Sequence, residues 1–314
     1  MRMNVGIIGV GGVGGYFGGK LCRHGAASGA NVYFVARGQH LDRIRQGGLL
    51  VETAAEGTWR CHPTLATDRI EDLPVLDVCL VCVKSYDLPQ VIQRLGRSVS
   101  DTTSLLPLLN GIDIYERIRA DLDVGLVLPA CVYVSAHIEA PGKVVQQSAG
   151  SKILLGKDPR MVNRMPHALL ALFDQSGINY EWLDDVSPAL WSKYVFIAAF
   201  GLVGASFDKT LGQMMGSPRL SEHVQAVMRE IIRLAEKKGV VLPETIVAES
   251  YQKGRDFAPE TKTSFQRDFE EAGRPDERDL FGGTILRLGR QLGVATPATQ
   301  ELCEIIERRK PWPV

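Results

Sequence analysis

Residues 4–15 read NVGIIGVGGVGG, a short β-branched run that passes straight into glycines. Within it, Gly9-Val10-Gly11-Gly12-Val13-Gly14 fits the spacing G-x-G-x-x-G. A strand entering such a turn and a helix leaving it is a demanding arrangement, and it constrains the fold more than any other feature of the chain. Gly9 permits the tight turn, Gly11 lets the backbone approach a pyrophosphate, and Gly14 allows close packing of helix on strand. The N–H groups of Gly12, Val13 and Gly14 at the helix start then face an anion. The bland alternative is a glycine-rich turn with no ligand. The strands that follow favour a dinucleotide. The glycines interrupt the apolar run at once and no small-residue cleavage site follows, so the run reads as a first strand and not a leader.

Further apolar runs begin at Asn31 (NVYFVAR), Leu76 (LDVCLVCVK), Thr103 (TSLLPLLNG), Val124 (VGLVLPACVYVSA) and Lys152 (KILLG), with helical stretches between them. This alternation predicts a mostly parallel, doubly wound sheet. The rhythm changes near Asp184. Ser187-Pro188 and Ser217-Pro218 each announce a helix start. Val224, Val227, Met228, Ile231, Ile232 and Ala235 keep helical spacing up to a cap at Gly239, and a third long helix is expected over 276–292, ending at Gly293. The chain therefore reads as α/β: a Rossmann-type dinucleotide domain over 1–184 and an all-α substrate and catalytic domain over 185–314. A length of 314 residues accommodates both.

The 36 basic residues balance the 36 acidic ones, which removes any electrostatic reason to expect nucleic acid or an anionic membrane as partner. The stretch 186–207 is apolar, but Pro188 and Lys193 leave too short an uninterrupted run to span a bilayer comfortably. A cytoplasmic location is expected. Cys79 and Cys82 form a C-x-x-C inside a predicted strand, where residues three apart point to opposite faces; they read as buried thiols. Six scattered histidines show no metal-ligand spacing, and no metal is expected.

NAD-binding proteins usually carry an acid at the end of the second strand. Here that strand ends Phe34-Val35-Ala36-Arg37-Gly38. The acid is missing, and an arginine suits a 2′-phosphate by charge and geometry, which favours NADP; a solvated surface arginine is the other reading. Lys84, after the third run, adds charge at the same rim. Asn110, before Gly111, either starts a turn or lies where a nicotinamide amide or substrate carbonyl would sit. Lys193 is the only charge in 186–207. It is either a snorkelling surface lysine or a desolvated proton donor. Glu277 shares a helical stripe with Phe281, Thr284 and Leu288, so an inward carboxylate is expected there, with stabilisation of a helix N-terminus as the alternative.

The segments IIGVGGVGG, ARGQHLDRIRQGGL, VCVKSYD, LLNGID, ALWSKYVF, TSFQRD and DERDLFGG, in this order and spacing, resemble the ketopantoate reductase (2-dehydropantoate 2-reductase) family of the wider 6-phosphogluconate dehydrogenase-like group. The resemblance implies NADPH-dependent reduction of ketopantoate to pantoate, a step toward pantothenate and coenzyme A. It implies that Arg37 and Lys84 surround the 2′-phosphate and that Asn110 lies near nicotinamide and substrate. It makes Lys193 the proton donor and Ser264 and Glu277 substrate contacts. The family usually places asparagines four and eight residues after this lysine; here those positions are Ile197 and Gly201. A reductase of another 2-keto or 3-hydroxy acid, and a non-catalytic NADP-binding sensor, therefore stand beside the first reading. Pairing of the helical half into a homodimer is left open.

Overall fold

The computed structural model describes residues 2–147 and 150–311. The chain divides into two compact units, Met1–Asn110 with Ile114–Val186, and Gly111–Asp113 with Ser187–Val314.

The first unit is built on a six-stranded sheet in the order Leu65–Thr67, Ala30–Val35, Met3–Ile8, Val78–Val81, Ser104–Pro107, Leu126–Val127. All of its pairings are parallel. Numbered along the chain, its strands run 3-2-1-4-5-6, the order of a dinucleotide-binding sheet. Val5, Ile7, Val78, Leu80 and Leu106 form its fully buried centre, which is why these strands read as unbroken apolar runs.

The helix Gly12–Ser28 lies between this sheet and a second one. On one face, a Cβ at Gly18 would stand 3.0 Å from Ile7. On another, Cβ atoms at Gly15 and Gly19 would each stand 2.6 Å from a valine, Val144 and Val51. Those valines belong to a four-stranded sheet in the order Ala136–Ala140, Lys143–Gln146, Leu49–Thr53, Gly57–Cys61. The helix is glycine-rich along its length because two sheets approach it closely.

Two expected strands fall elsewhere. The run from Val124 divides at Pro129, which has no N–H to continue a ladder. Leu126–Val127 stays in the parallel sheet, while Ala130–Tyr133 joins a three-stranded sheet with Lys152–Gly156 and Tyr180–Leu183. KILLG is thus the centre of that smaller sheet, not a member of the parallel one.

The second unit is helical. Its central helix, Ser187–Phe207, is packed by Pro218–Lys237, Pro297–Arg309 and Ser264–Glu270. At 21 residues it is long enough to cross a bilayer, contrary to the expectation from its interruptions, but two-thirds of its most apolar window is buried inside the protein. Neighbours on several sides account for its all-round apolarity. Ser217 caps Pro218–Lys237 by accepting the Leu220 N–H. Gly239 and Gly293 take the left-handed conformation at helix ends, with φ of 74° and 65°.

The expected helix over 276–292 does not begin at Asp276. Glu277 lies in a bend, Asp279–Gly283 is a π turn, and the α-helix proper is Thr284–Leu292. The Asp276 carboxylate accepts the Arg278 N–H and two guanidinium N–H groups, and so holds the bend. A Cβ at Gly282 would overlap the Cys303 sulfur and one at Gly283 the Asp279 carboxylate, so close packing keeps both positions glycine.

Candidate functional site

In the first unit the expected cofactor residues lie at or a few residues beyond the C-terminal ends of adjacent strands. The glycine turn leaves Met3–Ile8. Gly9 has φ of 95°, and a side chain there would meet Val83 at 2.8 Å. The N–H groups of Gly9 and Val10 both donate to the Val35 carbonyl, at 3.0 and 3.1 Å, and so pin the turn to the next strand. A Cβ at Gly14 would overlap the Gly9 carbonyl oxygen, and one at Gly12 the Ala136 carbonyl oxygen. A Cβ at Gly11 would have nothing within 4 Å. The three glycines of the spacing thus play the separate parts their chemistry predicts: turn, open approach, close packing. Gly12 carries a contact to a sheet the motif does not announce. Gly11 offers no side-chain cap and the first helical turn holds no acid. The opening N–H groups, those of Gly12, Val13 and Gly14, are thereby left to an outside anion. The open space at Gly11 and this uncapped turn fit a dinucleotide pyrophosphate.

Arg37 is the cap residue of Gly38–Gly47, just beyond Ala30–Val35. Its side chain is 75% exposed, and its guanidinium donates to Asp87 at 2.6 Å. Asp87 closes a short 3₁₀ turn, Ser85–Asp87, that Lys84 caps, placing lysine, arginine and carboxylate on one rim. Asp87 stands within the VCVKSYD segment but escapes a reading of the sequence aimed at cations. Asn110 is half-buried three residues beyond Ser104–Pro107, not at the strand's end, and Gly111 after it has φ of 118°.

Behind Arg37, His40 is buried, and its Nδ1 accepts the Gly142 N–H at 3.0 Å. Burial holds its imidazole below the ordinary histidine value, outweighing the opposing pull of the Val10 carbonyl. Cys79 is buried with its thiol pushed up to about 12, and burial also raises that of Cys82, so neither is a ready thiolate.

In the second unit, Lys193 sits half-buried within Ser187–Phe207. Its neighbour Tyr194 is buried, and the phenol O–H reaches the carbonyls of Leu280 and Phe281, each at 2.7 Å. The Tyr194 ring stacks on Phe281 with centroids 6.4 Å apart. Glu277 is 4% exposed, and its carbonyl accepts the Phe281 N–H at 3.1 Å. An inward Glu277 is therefore found, although it precedes the helix instead of riding on it. Phe265 packs 4.9 Å from Phe281 and lies 3.4 Å from where a Gly201 Cβ would be. Ser264, the residue before it, is exposed at the first position of Ser264–Glu270. Tyr194, Phe281 and Phe265 thus lock together the three segments that carry Lys193, Glu277 and Ser264. Sequence reasoning missed these anchors because aromatic residues of this kind read simply as core. The same unit includes Asp113, whose carboxylate accepts from Thr284 and Arg287 at 3.1 and 3.0 Å.

Among the described residues, no three His, Cys, Asp or Glu side chains converge as metal ligands.

Comparison with known proteins gives a consistent picture. The family model for ketopantoate reductase PanE/ApbA matches residues 5–160, and that for its C-terminal part matches residues 185–310. The chain is 26% identical over 296 residues to an uncharacterised oxidoreductase, YkpB, of Bacillus subtilis, covering 94% of each. Its fold matches the crystal structure of a PanE/ApbA family ketopantoate reductase from Ralstonia eutropha with a TM-score of 0.85, at 28% identity and over 98% of both chains. It also matches the fold of a D-mandelate dehydrogenase solved with NADH and anilino(oxo)acetate, with a TM-score of 0.86 at 20% identity over 98% of both chains.

Proposed function

The chain belongs to the ketopantoate reductase family, and from that premise we propose that it reduces a 2-ketoacid to the 2-hydroxyacid with NADPH, ketopantoate to pantoate being the family's reaction. The observation that carries the reading is the cradle at the glycine turn. It has room at Gly11, an uncapped helix start, and Arg37 where an NAD-selecting acid would stand. Gly9, Gly11, Gly12, Val13 and Gly14 hold the pyrophosphate, Arg37 and Lys84 the 2′-phosphate, and Asn110 the nicotinamide end.

When bound, the reduced nicotinamide supplies the hydride that reaches the keto carbon. The Lys193 ammonium stabilises the negative charge growing on the keto oxygen and delivers a proton to it. Glu277 keeps the lysine oriented or accepts a substrate hydroxyl, and Ser264 contacts the substrate. Tyr194 positions Lys193, since its bonds to Leu280 and Phe281 fix the helix against the Glu277 segment.

The test is initial-rate NADPH oxidation with ketopantoate and other 2-ketoacids, with NADH as the control cofactor. Lys193→Ala is expected to lower kcat about 10²- to 10⁴-fold while NADPH affinity stays unchanged. Wild-type turnover in that variant removes the lysine from the chemistry. Tight NADPH binding with no turnover on any 2-ketoacid means a sensor. A second reading, reduction of a 2-ketoacid other than ketopantoate, is favoured by Ile197 and Gly201.

A further inference from the structure

We propose that the substrate is a 2-ketoacid with an apolar side chain, branched alkyl or aryl and without a terminal hydroxyl; this rests on the reductase reading above and narrows its substrate. On a helix, the residues three, four, seven and eight positions after Lys193 share its face. They are Phe196, Ile197, Phe200 and Gly201. None of these side chains donates or accepts a hydrogen bond.

The aromatic members of this face form a connected surface. The Phe196 ring lies 6.2 Å from that of Phe257, nearly parallel at 10°, and 5.2 Å from that of Phe200. Phe200 in turn meets Tyr251 edge-on at 5.5 Å. Phe200 is fully buried, but Phe196 and Ile197 are only half-buried and Phe257 is 49% exposed. Part of the stack thus remains accessible beside the one charge of an otherwise apolar helix. Core packing explains Phe200; it does not explain an exposed phenylalanine laid flat on Phe196. At Gly201 the neighbouring volume is taken by Phe265, with Thr263 Oγ1 at 3.9 Å from the Cβ position.

An apolar substituent placed on this face gains contact with an aromatic ring and an isoleucine. A hydroxyl placed against Phe196, Ile197, Phe200 and Gly201 loses water and meets no side-chain donor or acceptor from these four residues. An apolar site of this kind disfavours an added hydroxyl by about 10- to 100-fold in kcat/KM.

The experiment compares kcat/KM, with NADPH, for ketopantoate and for 3,3-dimethyl-2-oxobutanoate, which is the same acid without the 4-hydroxyl. Phenylglyoxylate serves as an aryl probe. The expected result is a preference of about 10- to 100-fold for the compound lacking the hydroxyl. Ile197→Asn should move the ratio toward ketopantoate, with NADPH binding checking that the variant is folded. Phe257→Ala should raise KM for phenylglyoxylate more than for 3,3-dimethyl-2-oxobutanoate; equal effects on the two overturn the aromatic part of the proposal. Wild-type preference for ketopantoate, or equal rates on the matched pair, overturns the proposal and leaves the reductase reading standing. No turnover on any 2-ketoacid overturns both.

Discussion

Arg37 brings its own counterion. The guanidinium that would hold a 2′-phosphate donates to Asp87, whose side chain is only 18% exposed. A phosphate at this rim must therefore share or displace a carboxylate, and the like charges of the two anions oppose each other. Asp87→Asn is expected to tighten NADPH by about two- to fivefold, the scale of an exposed ion pair, and to leave NADH unchanged. Fluorescence titration with both cofactors measures it, and an NADPH affinity that stays constant or weakens would count against this role for Asp87. Arg37 was legible because a missing acid at a strand end is a local signal. Asp87 was not, because its pairing spans 50 residues. Lys193 was legible as the one charge of an apolar stretch and Glu277 as a carboxylate sharing a helical stripe with Phe281, Thr284 and Leu288; the hydroxyl of Tyr194 that ties their segments together reaches across 86 residues to Leu280.

At the level of elements, the strand–turn–helix unit assigns each glycine a different sensitivity. Gly11→Ala adds a Cβ with no protein atom within 4 Å. That variant should unfold at the wild-type temperature yet bind NADPH more weakly. Gly14→Ala drives a methyl into the Gly9 carbonyl oxygen, and backbone cannot yield as a flexible side chain does. A loss of about 1–3 kcal/mol in stability is expected, typical of overpacking. Thermal unfolding beside cofactor titration separates the two. A stable Gly14→Ala protein, or unimpaired cofactor binding in Gly11→Ala, contradicts the assignment. The sequence announced this turn through spacing alone. It concealed the second glycine face of the same helix, since the four-stranded sheet against it draws on strands nearly 90 residues apart, Leu49–Thr53 and Lys143–Gln146. It also concealed the π turn over Asp279–Gly283, because an apolar stripe has almost the same spacing whether or not one residue is added to a turn.

Across the first unit as a whole, His40 joins the helix after the second strand to a hairpin 102 residues away, through the Gly142 N–H. That bond needs an unprotonated Nδ1. The folded imidazole has a lowered pKa, so the unfolded chain binds the extra proton first as pH drops below the ordinary value of 6.5. The stabilisation from a neutral His40 is then complete above that value and is lost as pH falls through the interval down to the folded pKa. Thermal unfolding at constant ionic strength should show a Tm that falls as pH drops below 6.5, with a shallower fall in His40→Gln. Equal slopes in the two proteins would rule His40 out as the source.

By itself the sequence determined what neighbouring residues can settle: a glycine turn between strand and helix, the change from alternating elements to helices near Asp184, and an apolar helix with a single cation. Backbone freedom and side-chain periodicity act over a few residues and leave their mark directly on the chain. Only the tertiary structure decided that Asp87 meets Arg37, that a second sheet presses on the first helix, that Tyr194 anchors the lysine's helix, and that Phe257 lies flat on Phe196. Those contacts join segments that are distant in the chain, and their positions follow from how whole elements close-pack, which no local pattern encodes.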